Sequence, residues 1–166
     1  MPRIIHPFGP LYNKESCVLI LGSFPSVKSR EQNFFYGHPQ NRFWRVLAAI
    51  LKENVPTSIE EKKTLLLSHH IALWDSLASC EIVGSADSLI THPVANDLAP
   101  IFREADIRLL CFNGKKSEEI YQKFAPRHYE VPTVSLPSTS PANAQFTLER
   151  LTEEWARVLC PVLDIR

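Results

Sequence analysis

Apolar runs of strand length alternate along this chain with segments whose apolar residues recur at the spacing of one helix face. Four runs predict strands, at 17–21, 71–74, 107–112 and 130–136. The helical spacing predicts helices at about 41–52, 58–68, 115–124 and 144–162, and a short one after Asn96. Alternation of strands and helices predicts an α/β fold, a three-layer α/β/α sandwich around a four-stranded parallel sheet.

The remaining segments predict no regular structure. The proline-rich leader 1–14 is expected to be an irregular arm, and residues 27–32 are expected to be a polar link. Residues 75–94 predict a long loop. Because no linker, repeat or low-complexity tract divides the 166 residues, residues 1–166 are expected to form a single domain.

Composition narrows the class of protein. Hydrophobic residues make up 45% and charged residues 22% of the chain, which is typical of a globular protein in solution. No apolar run reaches transmembrane length and no signal peptide is evident, so a soluble cytoplasmic protein is expected. A net charge of zero argues against nucleic-acid binding driven by overall charge. The four cysteines lie far apart, so no metal site is expected.

The loops that follow the four predicted strands carry the candidate chemistry. The carboxyl ends of parallel strands share one edge of the sheet, where α/β proteins bind ligands. These loops contain hydroxyls, amides and aromatic rings, and Asp75 is the only carboxylate directly after a strand. This composition favours recognition of a neutral heterocycle over hydrolysis by paired carboxylates.

Four segments in these loops carry a family resemblance. They read GSFPS (22–26), FFYGHPQNRFW (34–44), FNGK (112–115) and LPSTSPAN (136–143). Together they resemble the motifs of the uracil-DNA glycosylase superfamily, over nearly the whole chain. The combination is most similar to the hypoxanthine-DNA (deoxyinosine) glycosylase family, and HPQNRFW is its most specific part. Residues 84–87 also resemble a Gly-Ser-x-Asp loop of the mismatch-specific branch, with no role that the sequence indicates.

One departure from the mismatch-specific branch bears on catalysis. That branch has a catalytic asparagine in the first motif, where this chain has Phe24. A phenyl ring cannot orient water or bond to a leaving base. The resemblance implies that Asn41 is catalytic instead, either by positioning water or by bonding to the departing purine. The structural alternative is that Asn41 only caps the helix that follows it.

The resemblance also implies residues that bind the flipped base and the DNA around it. Tyr36 is expected to stack on the base, while Phe34 or Phe35 packs in the core. The other predicted base-binding residues are Phe24, Asn113, Gly22 and Asp75. Predicted contacts to phosphate, or to the gap left by the base, are Ser26, Ser138, Ser140, Pro141 and Ala142. His38 is expected to be a supporting loop residue.

The resemblance therefore implies a monofunctional DNA glycosylase that flips a deaminated base and hydrolyses its N-glycosidic bond. Hypoxanthine is the expected base, with uracil and xanthine as further candidates. We expect a monomer that binds DNA without cofactor, metal or membrane, and no lysine that forms a Schiff base. One alternative is a mismatch-specific uracil/thymine glycosylase. Another is a non-catalytic module that binds nucleotides or damaged DNA.

Overall fold

A four-stranded parallel sheet lies at the centre of the computed structural model, which describes residues 3–82, 84–85 and 89–166. Its strands are β2 (Val18–Gly22), β3 (Ile71–Asp75), β6 (Leu109–Asn113) and β7 (Thr133–Leu136), in the order β3-β2-β6-β7. Gly22 pairs with Asp75, and Asn113 pairs with Leu136. The predicted sheet is confirmed, and the ends of its strands lie side by side.

Helices cover both faces of this sheet. They are α1 (Val27–Gln32), α2 (Phe43–Leu51), α3 (Ile59–Ser68), α4 (Ala99–Glu104), α5 (Lys115–Phe124) and α6 (Leu148–Leu163). Along β2, Val18 and Ile20 pack into one hydrophobic cluster with α2, α3 and α6, while Leu19 and Leu21 pack into another with α4. This two-sided alternation is why the strand is apolar at every position. The three-layer sandwich is confirmed.

The helix starts follow local capping chemistry. Ser58 caps α3, because its Oγ accepts the Glu61 N–H at 3.1 Å. The Glu61 carboxylate accepts the Thr57 N–H at 2.9 Å, one residue before the cap. The last helix begins later than predicted, because Thr147 is its cap and accepts the Arg150 N–H.

A second sheet lies where the sequence predicted only loops. Its strands are β1 (Arg3–Ile5), β4 (Leu77–Glu81) and β5 (Thr91–Ala95), paired antiparallel in the order β1-β4-β5. The expected irregular leader and the expected 75–94 loop were therefore wrong. These strands are short, and β5 contains a proline, which is tolerated on an edge strand. Such segments give little of the alternation by which strands are recognised.

Two smaller predictions were also wrong. The expected polar link is the short helix α1, which presents one buried side chain, Ser29, and so has no apolar periodicity. Asn96 does not cap α4. Its buried amide donates at 2.9 Å to the carbonyls of Asp75 and Leu77, because the chain passes there from one sheet to the other.

Two further expectations concern membranes and thiols. In the described ranges, no helix is long and apolar enough to cross a membrane. All four cysteines are free thiols. Burial raises the pKa of Cys111 to about 12, which keeps this thiol protonated at neutral pH.

Candidate active site

A cleft of about 1110 Å³ lies at the carboxyl ends of the central strands. It is lined by every residue for which the sequence predicted a site role. These are Gly22, Phe24, Ser26, Tyr36, His38, Asn41, Asp75, Asn113, Ser138, Ser140, Pro141 and Ala142. The structure thus brings together residues that are up to 120 positions apart in the chain, counted from Gly22 to Ala142. Their roles remain predictions.

Asn41 lies at the start of α2, and its side-chain oxygen is held by two donors. Oδ1 accepts the backbone N–H of Phe43 at 2.9 Å and the hydroxyl of Thr139 at 2.9 Å. The first bond satisfies the first N–H of α2, but the N-cap position of this helix is Arg42, so Asn41 contributes from one position earlier than the structural alternative expected. Since a backbone N–H only donates, it identifies the amide atom facing it as oxygen. Among the described residues, Nδ2 has no partner, so its N–H groups remain for a ligand.

Thr139 and Asn113 set the direction of this hydrogen-bond network. Asn113 Nδ2 donates to Thr139 Oγ1 and to the Tyr36 hydroxyl, each at 3.0 Å, and its Oδ1 accepts the Thr139 N–H. Thr139 Oγ1 accepts a hydrogen bond from Asn113, and its own hydroxyl donates a hydrogen bond to Asn41 Oδ1. Both hydrogens of the Asn113 amide are occupied, so only its oxygen has spare capacity to contact a base.

Tyr36 stands in the cleft with one face of its ring covered. The ring stacks on Phe43, with centroids 4.1 Å apart and planes 19° apart. Its backbone has φ of 51°, a left-handed conformation that a bulky residue seldom adopts. Phe34 and Phe35 are buried at 6% and 2% exposure, and Phe35 also lines the cleft, so the core contains at least one phenylalanine as expected.

Arg42 clamps the loop that carries Thr139. Its backbone N–H donates to the Thr139 carbonyl at 3.1 Å. The guanidinium donates to the carbonyls of Thr139, Ser140, Asn143 and Phe146. Burial lowers the pKa of Arg42, but an arginine remains a cation at neutral pH. The residues that form this network, Tyr36, Asn41, Arg42, Asn113 and Thr139, are called here the amide side of the cleft.

The opposite side contains a buried carboxylate. Asp75 is 4% exposed, and its Oδ2 lies 2.7 Å from Nε2 of His6, whose side chain is also 4% exposed. The Asp75 carbonyl accepts the Asn96 amide. A buried charge needs such a partner, because burial removes its hydration. His6, Asp75 and Asn96 are called here the carboxylate side.

Gly22 is where the two sides meet. A Cβ atom at this position would lie 2.4 Å from Asp75 Oδ1 and 2.8 Å from the Tyr36 hydroxyl oxygen. Both distances are shorter than van der Waals contact. The absence of a side chain at Gly22 therefore leaves room for both the carboxylate and the phenol beside its backbone on the cleft floor.

The remaining predicted residues occupy the walls and the rim. Phe24 is half-buried and packs edge-on against His6, with ring centroids 5.8 Å apart. His38 fixes its own loop, because Nδ1 accepts the Gln40 N–H at 3.1 Å. The Ser26 hydroxyl caps α1, because its oxygen accepts the Ser29 N–H and its proton is donated to Ser29 Oγ.

The rim loop 137–143 presents hydroxyl groups and an exposed tip. Ser138 Oγ accepts the Ser140 N–H, and Ser140 Oγ accepts the Ala142 N–H. Neither hydroxyl proton has an acceptor among the described residues, so both can be donated to a ligand. Pro141 and Ala142 are exposed.

Two lysines also line the cleft. Lys115, the last residue of the FNGK segment, and Lys116 begin α5. Two lysines thus lie at the site, and the expectation that no lysine forms a Schiff base stays a prediction. In the 84–87 segment, Ser85 lines the cleft and Gly84 accepts a hydrogen bond from Arg30 at 2.7 Å. Ala86 and Asp87 lie outside the described residues.

Three residues of the site were missed by the sequence reasoning. Thr139 lies between two serines predicted to contact phosphate, and no local pattern indicates that its hydroxyl joins Asn113 to Asn41. Arg42 follows the predicted catalytic residue directly. His6 had no signal, since it stands alone in a proline-flanked leader.

Comparisons with known proteins agree with this geometry. The sequence model of the Uracil DNA glycosylase superfamily matches residues 10–159. A Methanosarcina acetivorans protein named hypoxanthine DNA glycosylase is 37% identical over 153 residues, covering 91% of this chain and 95% of that protein. A Methanosarcina barkeri protein of the same name is 33% identical over 156 residues, covering 90% and 94%.

One solved structure has the same architecture. It is a solution NMR structure of a candidate uracil DNA glycosylase from Methanosarcina acetivorans. Its TM-score against this chain is 0.79 at 32% sequence identity, and the match covers 96% of this chain and 99% of the other.

Proposed function

Because this chain belongs to the uracil DNA glycosylase superfamily, we propose that it is a monofunctional DNA glycosylase that removes deaminated bases, with hypoxanthine preferred. The two hypoxanthine DNA glycosylases that it resembles support this choice of base. The observation on which the proposal rests is the position of Asn41, in the cleft and with an amide nitrogen free of partners among the described residues.

Asn41 acts on the leaving base. An amide nitrogen donates hydrogen bonds and cannot accept a proton from water. With Oδ1 engaged by Phe43 and Thr139, the side chain is suited to the second of its two predicted roles, a bond to the departing purine. As the N-glycosidic bond breaks, its electron pair passes to the base. A fixed N–H donor stabilises that developing negative charge in the transition state more than in the substrate.

The base is bound between the two sides of the cleft. Tyr36 lines the cleft with its ring stacked on Phe43, and stacking of a base on an aromatic ring is worth about 1–3 kcal/mol for any base. Asp75 Oδ1 offers an acceptor beside the Tyr36 hydroxyl. An ionised carboxylate only accepts. Hypoxanthine and uracil each carry a ring N–H where adenine and cytosine, from which they arise, carry an unprotonated nitrogen, so this acceptor favours these two bases over their parents. Xanthine shares its ring N–H with guanine, so the acceptor does not distinguish that pair.

The rim binds the DNA strand around the flipped nucleotide. Ser138 and Ser140 donate their hydroxyl protons to phosphate oxygens, and Pro141 with Ala142 fills the space that the extruded base leaves. Lys115 and Lys116 supply positive charge at the same opening, where the chain as a whole is neutral. The free energy needed to extrude a base is lowest at mismatched pairs, so deaminated bases enter the cleft preferentially.

The products are a free base and an abasic site on an intact strand. Water adds to C1′ of the sugar after the oxocarbenium-like transition state, and no cofactor is needed. The enzyme works as a cytoplasmic monomer formed by a single domain.

A base-release assay tests the proposal. Oligonucleotide duplexes that contain inosine, xanthosine, uracil or a G·T mismatch are incubated with the protein in EDTA, and free base and alkali-labile sites are measured. We expect release of hypoxanthine at the highest kcat/KM. Preferred release of uracil or thymine would instead support the mismatch-specific alternative. Binding to inosine DNA without release of any base would support the non-catalytic alternative.

A further inference from the structure

The N-terminal strand delivers a side chain to the cleft floor. β1 pairs with β4 in antiparallel register, Ile5 opposite Ser79, and the His6 N–H donates to the Ala78 carbonyl at 2.8 Å. β4 begins two residues after Asp75, at Leu77. The pairing therefore fixes His6 beside Asp75. The match to the superfamily model begins at residue 10, after His6.

The imidazole is oriented to donate to the carboxylate. The Phe8 N–H lies 3.4 Å from His6 Nδ1, which assigns the acceptor role to that nitrogen and the proton to Nε2. Nε2 lies 2.7 Å from Asp75 Oδ2. Aromatic rings surround the imidazole, with centroid distances of 4.5 Å to Phe8, 5.8 Å to Phe24 and 6.5 Å to Trp74. The ring is held in one orientation by packing as well as by hydrogen bonds.

This contact decides which oxygen of Asp75 faces the cleft. His6 occupies Oδ2, while Oδ1 has no hydrogen-bond partner in the described ranges and lies over Gly22 next to Tyr36. Without His6, the carboxylate can rotate and present either oxygen, and its charge has no donor in this buried place. His6 therefore controls both the orientation and the solvation of the acceptor.

We propose that His6 is a positioning residue for base recognition: through Asp75 Oδ2 it holds Oδ1 where the ring N–H of a deaminated base can reach it. The inference rests on the proposed function, because it assigns a partner to the base-binding carboxylate. It makes the N-terminal segment part of the active site, although that segment lies outside the matched family region.

Two substitutions at position 6 separate positioning from packing. His6→Phe keeps a ring among Phe8 and Phe24 but removes both nitrogens. His6→Gln supplies an N–H donor and a carbonyl acceptor again, without the ring. For hypoxanthine release from inosine duplex, we expect His6→Phe to lower kcat/KM at least about tenfold, as loss of geometry at a reacting site does. His6→Gln should recover activity to within about threefold of the wild type.

A double-mutant cycle and a base-free ligand complete the test. In an Asp75→Asn background, His6→Phe should cause no further loss, since its effect passes through Asp75. Affinity for a duplex with an abasic-site analogue should be the same in all variants, because that ligand has no base to recognise. An equal loss from His6→Phe in both backgrounds, or equal weakening on abasic DNA, would assign His6 a structural role only and overturn the inference.

The activity of the wild-type protein distinguishes failure of the proposed function from failure of the inference about His6. If the wild-type protein releases no base from any substrate, the proposed function fails, and the inference fails with it. If the wild type is active and His6→Phe retains full kcat/KM, the inference fails and the proposed function stands.

Discussion

The two sides of the cleft each orient a polar group, and they do so by different physical means. On the amide side, neutral groups orient one another through a directed chain from Asn113 to Thr139 to Asn41. On the carboxylate side, one buried charge is held by a single imidazole. The amide side leaves a donor unpartnered among the described residues, and the carboxylate side leaves an acceptor. Removing one neutral group of the amide side weakens the orientation of Asn41 only in part. Removing the imidazole of the carboxylate side takes away the one side chain that holds the Asp75 carboxylate.

Removing the free donor of the amide side should have the largest effect. Asn41→Asp keeps an oxygen for the Phe43 N–H and the Thr139 hydroxyl but has no N–H. The single-turnover rate of hypoxanthine release should fall about 10²–10³-fold, the usual loss when a transition-state donor is removed. The melting temperature should stay within a few degrees of the wild type. Asn41→Ala, which also removes the acceptor of the Phe43 N–H, should abolish release and lower stability by about 1 kcal/mol. Wild-type rates for Asn41→Asp would exclude the leaving-base role.

Filling the point where the sides meet should have the next largest effect. In Gly22→Ala the new methyl group lies too close to Asp75 Oδ1 and the Tyr36 hydroxyl, so one of them must move. We expect kcat/KM to fall about 100-fold, because small displacements at a reacting site are costly. Gly9→Ala is the matched control, since nothing lies within 4 Å of its Cβ position. A fully active Gly22→Ala protein would show that the close approach is not needed.

Breaking one link of the directed chain should have a smaller effect. Thr139→Val preserves the side-chain shape but removes the hydroxyl that joins Asn113 to Asn41. We expect about a tenfold slower release and a lower melting temperature, because one buried donor and one acceptor lose a partner. Thr139→Ser keeps the hydroxyl and should behave nearly as the wild type. Equal rates in the valine and serine variants would contradict a relay through Thr139.

The lysines belong to neither side, and changing them should have the smallest effect on chemistry. Lys115→Ala and Lys116→Ala should each weaken DNA binding. Each should also reduce the magnitude of the slope of log K against the logarithm of the salt concentration by about one. The single-turnover rate at saturating enzyme should not change. Incubation with borohydride should trap no protein–DNA adduct. An adduct that disappears in either variant would identify that lysine as a nucleophile and make the enzyme bifunctional.

The central sheet and the amide side could be predicted from the sequence because their signals are local. The strand 18–22 is apolar at nearly every position, and the helix after Asn41 has a regular apolar face. Motif resemblance then placed Asn41, Tyr36 and Asn113 in one site. The directions of their hydrogen bonds could not be predicted, since these depend on which donors and acceptors meet after folding.

The carboxylate side could not be predicted beyond Asp75. β1, β4 and β5 are short, and their stability comes from pairing with one another rather than from an apolar pattern. Asn96 has the composition of a helix cap, and only the tertiary structure turns its amide towards two carbonyls where the chain changes sheet. His6 becomes a site residue solely through a pairing between distant segments.

The pairing of β1 with β4 also has a kinetic consequence. His6 and Asp75 are separated by 69 positions. Closing so large a loop costs conformational entropy, and this cost is offset only when the strands pair. During synthesis, β1 is made before β4 and remains without its partner strand until β4 has been synthesised. During refolding, base discrimination should therefore return later than the bulk of the helical circular dichroism.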